Sequence, residues 1–263
     1  MQESENFDFS EVSNALAYFR NLRFDLFSQQ PQFDPIHSYH TQLLAGWSGS
    51  SNPARLTGYL HPDFIRRQVI KTEAGIKAKS QNSYITAVRL NPEDYNQDQL
   101  VINYSFSTGR FGQMLLASTS VGICFIGFAD EEEDKAMEDL IRRFPFASVK
   151  PFQDAHQLNA INYFKDPLND TSQIKLHLKA TPFQFSIWNK VLQIPLGGLV
   201  SYGSLTDDVK SARATGTAVG DNPVAYLVPC HRVVRANGEF GPYFWGADRK
   251  AVLISWEAYI LNN

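Results

Sequence analysis

Apolar residues recur every three to four positions through Phe7–Phe27, at Val12, Leu16, Phe19, Leu22 and Leu26, and with Ser10 as cap this spacing predicts an amphipathic helix. His37–Trp47 and Leu56–Ile70 repeat the pattern on either side of the Gly49–Pro53 break, so the first hundred residues read as mainly helical. At Gln99 the pattern turns to alternation. Leu100–Phe106, Gly112–Ala117 and Gly122–Phe128 read as three strands, with hairpin composition at Ser107–Gly112, and together they predict a small antiparallel sheet. Asp130–Phe144 reads as a helix whose acidic start complements the helix dipole and carries no chemistry. A short helix at Ala155–Phe164 leads into the polar linker Asp166–Asp170.

From Thr181 the punctuation becomes dense. Thr181 is a cap followed by Pro182 at the first helical position, with a buried stripe of Phe185, Trp188, Val191 and Leu192, and Pro195–Gly198 ends that helix. Ser201–Leu205 opens another helix, Ser211–Gly220 forms the next, and Arg249–Asn262 closes the chain as an amphipathic helix.

Bulk composition narrows the function classes. With 263 residues, 43% of them hydrophobic, the chain can bury the core of one large domain or two to three small ones. A formal net charge of -3 excludes broad electrostatic capture of nucleic acid, so any DNA binding must use local patches and shape. Two cysteines, Cys124 and Cys230, allow neither a disulfide framework nor a thiol cluster for zinc and point to a reducing cytoplasm. Met1–Ser10 is polar and acidic, and no apolar run approaches the ~20 residues that span a membrane, so a soluble intracellular protein with no membrane partner is expected.

The chemistry concentrates in Pro229-Cys230-His231-Arg232, set between Leu227-Val228 and Val233-Val234 with Asn222-Pro223 upstream. A cysteine beside an imidazole in a tight apolar turn is how a buried thiol becomes a nucleophile. Cys124, inside an apolar strand, reads as packing. On the residues alone, Glu257 reads as a surface carboxylate of the terminal helix.

The block from Thr181 onward resembles the O6-alkylguanine-DNA alkyltransferase family. The elements that carry the resemblance occur in order: Phe183–Trp188, Ile194–Gly197, Val200–Gly203, Arg213–Gly216, Asn222-Pro223, Pro229–Val233, and Trp245-Gly246 through Arg249-Lys250 to Glu257. The resemblance implies an α/β (α+β) fold in three parts. Residues 1–98 form a degenerate AraC-type helical region, which carries the fainter likeness at Tyr39–Leu44, Trp47–Gly49, Pro53–Leu56 and Tyr59-Leu60. Residues 99–170 form a ribonuclease-H-like subdomain with a small antiparallel sheet, and residues 171–263 a mainly helical active-site domain with a DNA-binding helix-turn-helix.

The family's mechanism, carried over by motif, gives each residue a role. Cys230 accepts the alkyl group, His231 takes the thiol proton through a bridging water, and Glu257 orients the imidazole. Asn222 holds the turn, and Tyr243 donates to the purine as it leaves. Main-chain groups of Val233, with Phe244 and Trp245 of the following loop, line the base pocket, Tyr202 presses on the flipped nucleotide's phosphate, and Arg213 is the intercalating finger. The small residues Ala214 and Gly216 let a helix-turn-helix of Tyr202–Val209 and Ser211–Gly220 approach the minor groove.

The resemblance thus implies single-turnover repair of O6-alkylguanine, with O4-alkylthymine as a further substrate. The enzyme would be a monomer without cofactor or metal, acting on double-stranded DNA in a bacterial cytoplasm, on the nucleoid when bound. Two alternatives stand beside it: a non-catalytic sensor of alkylated DNA or regulator of the adaptive response that binds promoter DNA through the N-terminal region, and a paralogue that keeps only the fold. The chain departs from the family in having about three fewer residues between Tyr202 and Arg213. It also has Asp207 and Asp208 near the expected phosphate path, and Pro242 and Phe244 at the pocket, which predict a reduced preference for bulky alkyl groups.

Overall fold

Gly109 and Gly112 face each other across the tight turn foreseen at Ser107–Gly112, and the central sheet grows from that hairpin. The computed structural model describes residues 62–76, 84–95, 100–109, 111–129, 133–206, 208 and 211–261. The helices expected at Phe7–Phe27 and His37–Trp47, and the AraC-type likeness, lie outside these residues.

The elements are α1 (Pro62–Ile76), β1 (Ile85–Arg89), α2 (Pro92–Tyr95), β2 (Val101–Gly109), β3 (Gly112–Ser118), β4 (Ile123–Phe128), α3 (Glu133–Arg143), β5 (Ser148–Pro151), α4 (Ala155–Lys165) and β6 (Ile174–Leu178). They continue with α5 (Pro182–Leu192), β7 (Val200–Ser201), a 3-10 turn (Tyr202–Leu205), α6 (Ala212–Gly220), a second 3-10 turn (Cys230–Arg232), β8 (Val233–Val234) and α7 (Ala247–Ile260).

The sheet has six strands in the order β1-β6-β4-β3-β2-β5. The meander β2-β3-β4 is antiparallel, as expected, but β5 joins β2, β6 joins β4 and β1 joins β6 in parallel. A mixed sheet therefore replaces the small antiparallel one. The three added strands are four or five residues long, and the edge strand β5 is hardly buried, so no periodicity announces them. Its Pro151 is tolerated because an edge strand can spare a donor. The sheet draws β1 and β6 from beyond both ends of residues 99–170, which that boundary had left to the flanking regions.

Strand β3 is buried on both faces, and its alternating side chains feed two cores. Leu115 and Ala117 pack with Ile102, Phe125 and the α3 residues Ala136 and Leu140. Met114 and Leu116 face the larger core, which includes Trp188, Leu192, Val224–Val228, Leu253 and Trp256. Cys124 is buried on the α3 side, and burial pushes its thiol far above the usual range, consistent with packing rather than chemistry.

Helix α5 starts as its sequence requires: Thr181 Oγ1 accepts from Gln184 N, the Gln184 side chain returns a bond to Thr181 N, and Pro182 occupies the first turn. Trp188 Nε1 then donates to the Ala218 carbonyl at 2.7 Å, tying α5 to α6. Beyond Ile123 strand β4 is no longer paired to β6, and Val224 bridges to its edge through Ile126 N→Pro223 O (2.9 Å) and Ala225 N→Ile126 O (3.0 Å). The segment leading to Cys230 is thereby fastened to the sheet.

The helix expected at Leu56–Ile70 is observed at Pro62–Ile76, residues 56–61 lying outside the described set. It packs on the active-site domain, not as part of a separate helical region: Ile65 and Val69 share a core with Leu199, Val234, Phe240, Ala251 and Ile254.

Candidate active site

Eight residues separate Asn222 from Cys230, and the Asn222 carboxamide spans them. Its Oδ1 accepts from Val224 N at 2.9 Å, while its Nδ2 donates to the Val228 carbonyl at 2.8 Å and to Cys230 Sγ at 3.0 Å. The turn so closed holds Tyr226 in the left-handed region, φ 67°, a conformation costly for a bulky side chain. The strain places the Tyr226 ring parallel to His231 at 5.5 Å, with Phe111, Phe164 and Trp256 packed around it.

Cys230 begins the second 3-10 turn, is 5% exposed and opens onto one small cavity. That cavity, of about 210 Å³, is walled by Tyr202, Cys230, Tyr243 and Phe244, with Gly216, Val219 and Gly220 contributed by α6 and its end. Pro242 completes it. Pockets for drug-sized ligands run to roughly 300–1,000 Å³, so this one is scaled to a smaller planar group.

Behind the cysteine lies a buried charge cluster. Glu257 Oε1 accepts from His231 Nε2 (2.8 Å) and Arg232 Nη2 (2.9 Å), and its Oε2 accepts from Arg232 Nε (2.9 Å) and Gly197 N (3.0 Å). Arg232 Nη1 gives its bond to the Ile194 carbonyl at 2.6 Å. Burial alone would raise the Glu257 pKa, but Arg232 and then His231 hold it down to about 2. An ionised carboxylate only accepts, so His231 Nε2 carries the proton that it donates. Burial also lowers the His231 pKa, against the pull of Glu257, and keeps the ring neutral. Its buried Nδ1 has no partner among the described residues and is left as a basic lone pair.

Burial raises the Cys230 thiol to about 11, with the Asn222 bond and the Lys250 charge pulling the other way. The resting sulfur is therefore a thiol, where the sequence suggested a thiolate, and a base must take its proton during the reaction. On the opposite wall, burial holds the Tyr243 pKa well above its ordinary value, and its buried hydroxyl has no partner among the described residues. Burial pushes the Tyr202 hydroxyl up to about 12.

A nucleophilic thiol, a neutral base fixed by a carboxylate and a protonated phenol at one small cavity suit group transfer to sulfur. The profile of the 6-O-methylguanine DNA methyltransferase DNA binding domain matches residues 182–259. A methylated-DNA–protein-cysteine methyltransferase of Methanosarcina acetivorans is 33% identical over 159 residues, 59% of this chain and 97% of its own. The inducible one of Bacillus subtilis is 31% identical over 54% of this chain and 82% of its own. The chain belongs to the methylated-DNA–protein-cysteine methyltransferases.

The bifunctional transcriptional activator/DNA repair enzyme Ada of Escherichia coli is 32% identical over 170 residues, 61% of this chain but 47% of its own, so the chain matches about half the length of that relative. A crystal structure of the Mycobacterium tuberculosis O6-methylguanine methyltransferase is 28% identical and covers 60% of this chain and 93% of its own, with a TM-score of 0.49.

In this member of the methyltransferase family, Cys230, His231, Glu257, Asn222 and Tyr243 come together as the motifs implied, and Glu257 is 1% exposed rather than on the surface. Gly216, Tyr202 and Phe244 wall the cavity. Arg213 and Ala214 are exposed on α6. Val233 and Trp245 are not on the cavity wall. Val233 is buried in β8, paired with Val200, and its carbonyl accepts from Lys250 Nζ at 2.6 Å. Trp245 instead packs edge-on against Phe128 and Tyr243, supporting the loop from behind.

The first half of the expected helix-turn-helix is a single 3-10 turn, Tyr202–Leu205, and Thr206 is already extended. Asp207 and Val209 lie outside the described residues, while exposed Asp208 accepts from the Ser211 hydroxyl at 3.2 Å. Among the buried charges with no assigned role in the sequence are Arg232, which neutralises Glu257, and Lys250. Burial brings Lys250 down to about 7, opposed by Cys230, and its Nζ joins the carbonyls of Val233 and Phe240. Both stand inside the motifs that carried the resemblance, which was the available signal.

Proposed function

We propose that the chain repairs alkylated DNA by direct reversal, transferring the alkyl group of O6-alkylguanine in a duplex to Cys230. The observation that carries this reading is one small cavity lined by both Cys230 and Tyr243, with His231, whose buried Nδ1 has no partner among the described residues, next in sequence to the cysteine. His231 Nδ1 receives the thiol proton through a bridging water, and the sulfur attacks the alkyl carbon in line with the C–O6 bond. That bond breaks, its electron pair stays on the guanine, and the Tyr243 hydroxyl donates to the purine. The products are guanine and an S-alkylcysteine thioether, so each chain acts once.

The lesion sits in a stacked duplex and must be rotated out. Tyr202, at the cavity rim, presses on its phosphate, and exposed Arg213 on α6 fills the gap. Transcriptional activation, the other activity in the name of the E. coli relative, would fall to the residues before α1. Among the described residues no helix is long and apolar enough to cross a membrane, and both cysteines are free, which suits work in the cytoplasm.

Stoichiometry tests the proposal. With excess duplex carrying radiolabelled O6-methylguanine, transfer to protein should stop at one methyl per chain and be absent in Cys230→Ala. Repeated turnover would refute the thioether end point, and binding without transfer would favour the sensor.

A further inference from the structure

The 3-10 turn that presents Tyr202 is held by a helix far away in sequence. Ser201, the residue before Tyr202, donates both its N–H (2.9 Å) and its hydroxyl (2.8 Å) to Glu73 Oε1 of α1. One turn back along the chain, Leu199 N donates to Thr72 Oγ1 at 3.1 Å. Backbone and helix meet so closely that a Cβ on Gly198 would lie 2.9 Å from the Thr72 methyl. Ile65 and Val69 seat the helix in the core shared with Leu199 and Val234, so Glu73 is not a chance surface contact.

Ser201 also pairs with Val234 where β7 lies beside β8. Its hydroxyl makes no capping bond to the turn it starts, and its proton goes to Glu73. Its carbonyl accepts from Ser204 Oγ at 2.7 Å, which ties the turn to the same residue. The Tyr202 ring lies against Gly241, which adopts φ 69° and would put a Cβ 3.3 Å from the phenol, so the ring is confined on that side too. The line of contact thus runs from α1 through one carboxylate to the aromatic rim of the Cys230 cavity.

We infer that Glu73 is a positioning residue for transfer from duplex DNA: by fixing Ser201 it sets Tyr202 against the phosphate of the nucleotide entering the cavity. Helix α1 is then a working part of the repair site. This rests on the alkyl-transfer reading above and assigns it a further residue, in a segment that the matched profile does not include.

The test compares two substrates of the full-length protein. O6-methylguanine in a duplex needs the phosphate contact, and O6-methylguanine as the free base does not. Removing the acceptor of two part-buried donors in Glu73→Ala should slow transfer from duplex at least roughly tenfold more than transfer from the free base. Glu73→Gln keeps an acceptor oxygen for Ser201 and should restore most of the duplex rate. Equal slowing of both substrates, or of neither, would overturn the inference, as would Glu73→Gln no faster than Glu73→Ala. A wild-type protein that takes methyl from neither substrate would sink the proposed function instead.

Discussion

The two sides of Cys230 are built on opposite rules. On the inner side every polar group of the Glu257 carboxylate and most of Arg232 are bonded within the protein, and the charges are sealed from water. On the cavity side the Tyr243 hydroxyl is buried without a partner among the described residues. A satisfied ion pair in low dielectric is rigid and fixes the tautomer of His231; an unsatisfied donor at a cavity wall gains its bond only when something enters. The difference separates a part that holds from a part that receives.

If that division is right, mutations on the two sides should fail in different ways. Glu257→Ala strands Arg232 as a buried charge and should cost about 3–5 kcal/mol of stability in urea unfolding. A loss no larger than that of a surface substitution would erase the distinction. Next in size is acid. The Glu257 pKa lies near 2 when folded and near ~4.3 in the unfolded chain, so its contribution is intact above pH ~4.3 and disappears as pH falls towards 2, roughly 3 kcal/mol in all. Midpoints of denaturation measured across that window should fall steeply in the wild type, and a flat profile would argue against an ionised carboxylate.

On the receiving side, Tyr243→Phe removes a hydroxyl that has no partner among the described residues, so stability should stay within about 1 kcal/mol while transfer slows by about 10²-fold. A large stability loss with normal transfer would reverse the assignment of sides. Smallest is the effect at the rim, where Phe244 is 56% exposed. Phe244→Ala should leave transfer of methyl nearly unchanged and speed transfer of benzyl severalfold, measured in parallel time courses.

Much of the holding side could be read from the chain because its parts sit in contiguous motifs: Asn222, Cys230 and His231 lie within ten residues, and Glu257 follows at the family's place. The cap at Thr181 and the hairpin at Ser107–Gly112 were equally local. What escaped was whatever depends on distant partners. Arginine and lysine read as exposed in a sequence, and only the folded chain shows Arg232 and Lys250 buried by the carboxylate and carbonyls they find. Strands β1, β5 and β6 are too short for alternation to declare them, and their pairing brings together residues as far apart as Ile85 and Ile174. Trp245 was put in the pocket by its place in a motif, although nearness in sequence does not say which way a side chain faces.

The account turns on where the alkyl group comes to rest. After the full-length protein meets excess duplex containing O6-methylguanine, peptide mapping by tandem mass spectrometry should find a methyl thioether at Cys230 and an unchanged thiol at Cys124. A methyl group on any other residue, or an unmodified Cys230 once the lesion has gone from the DNA, would contradict it.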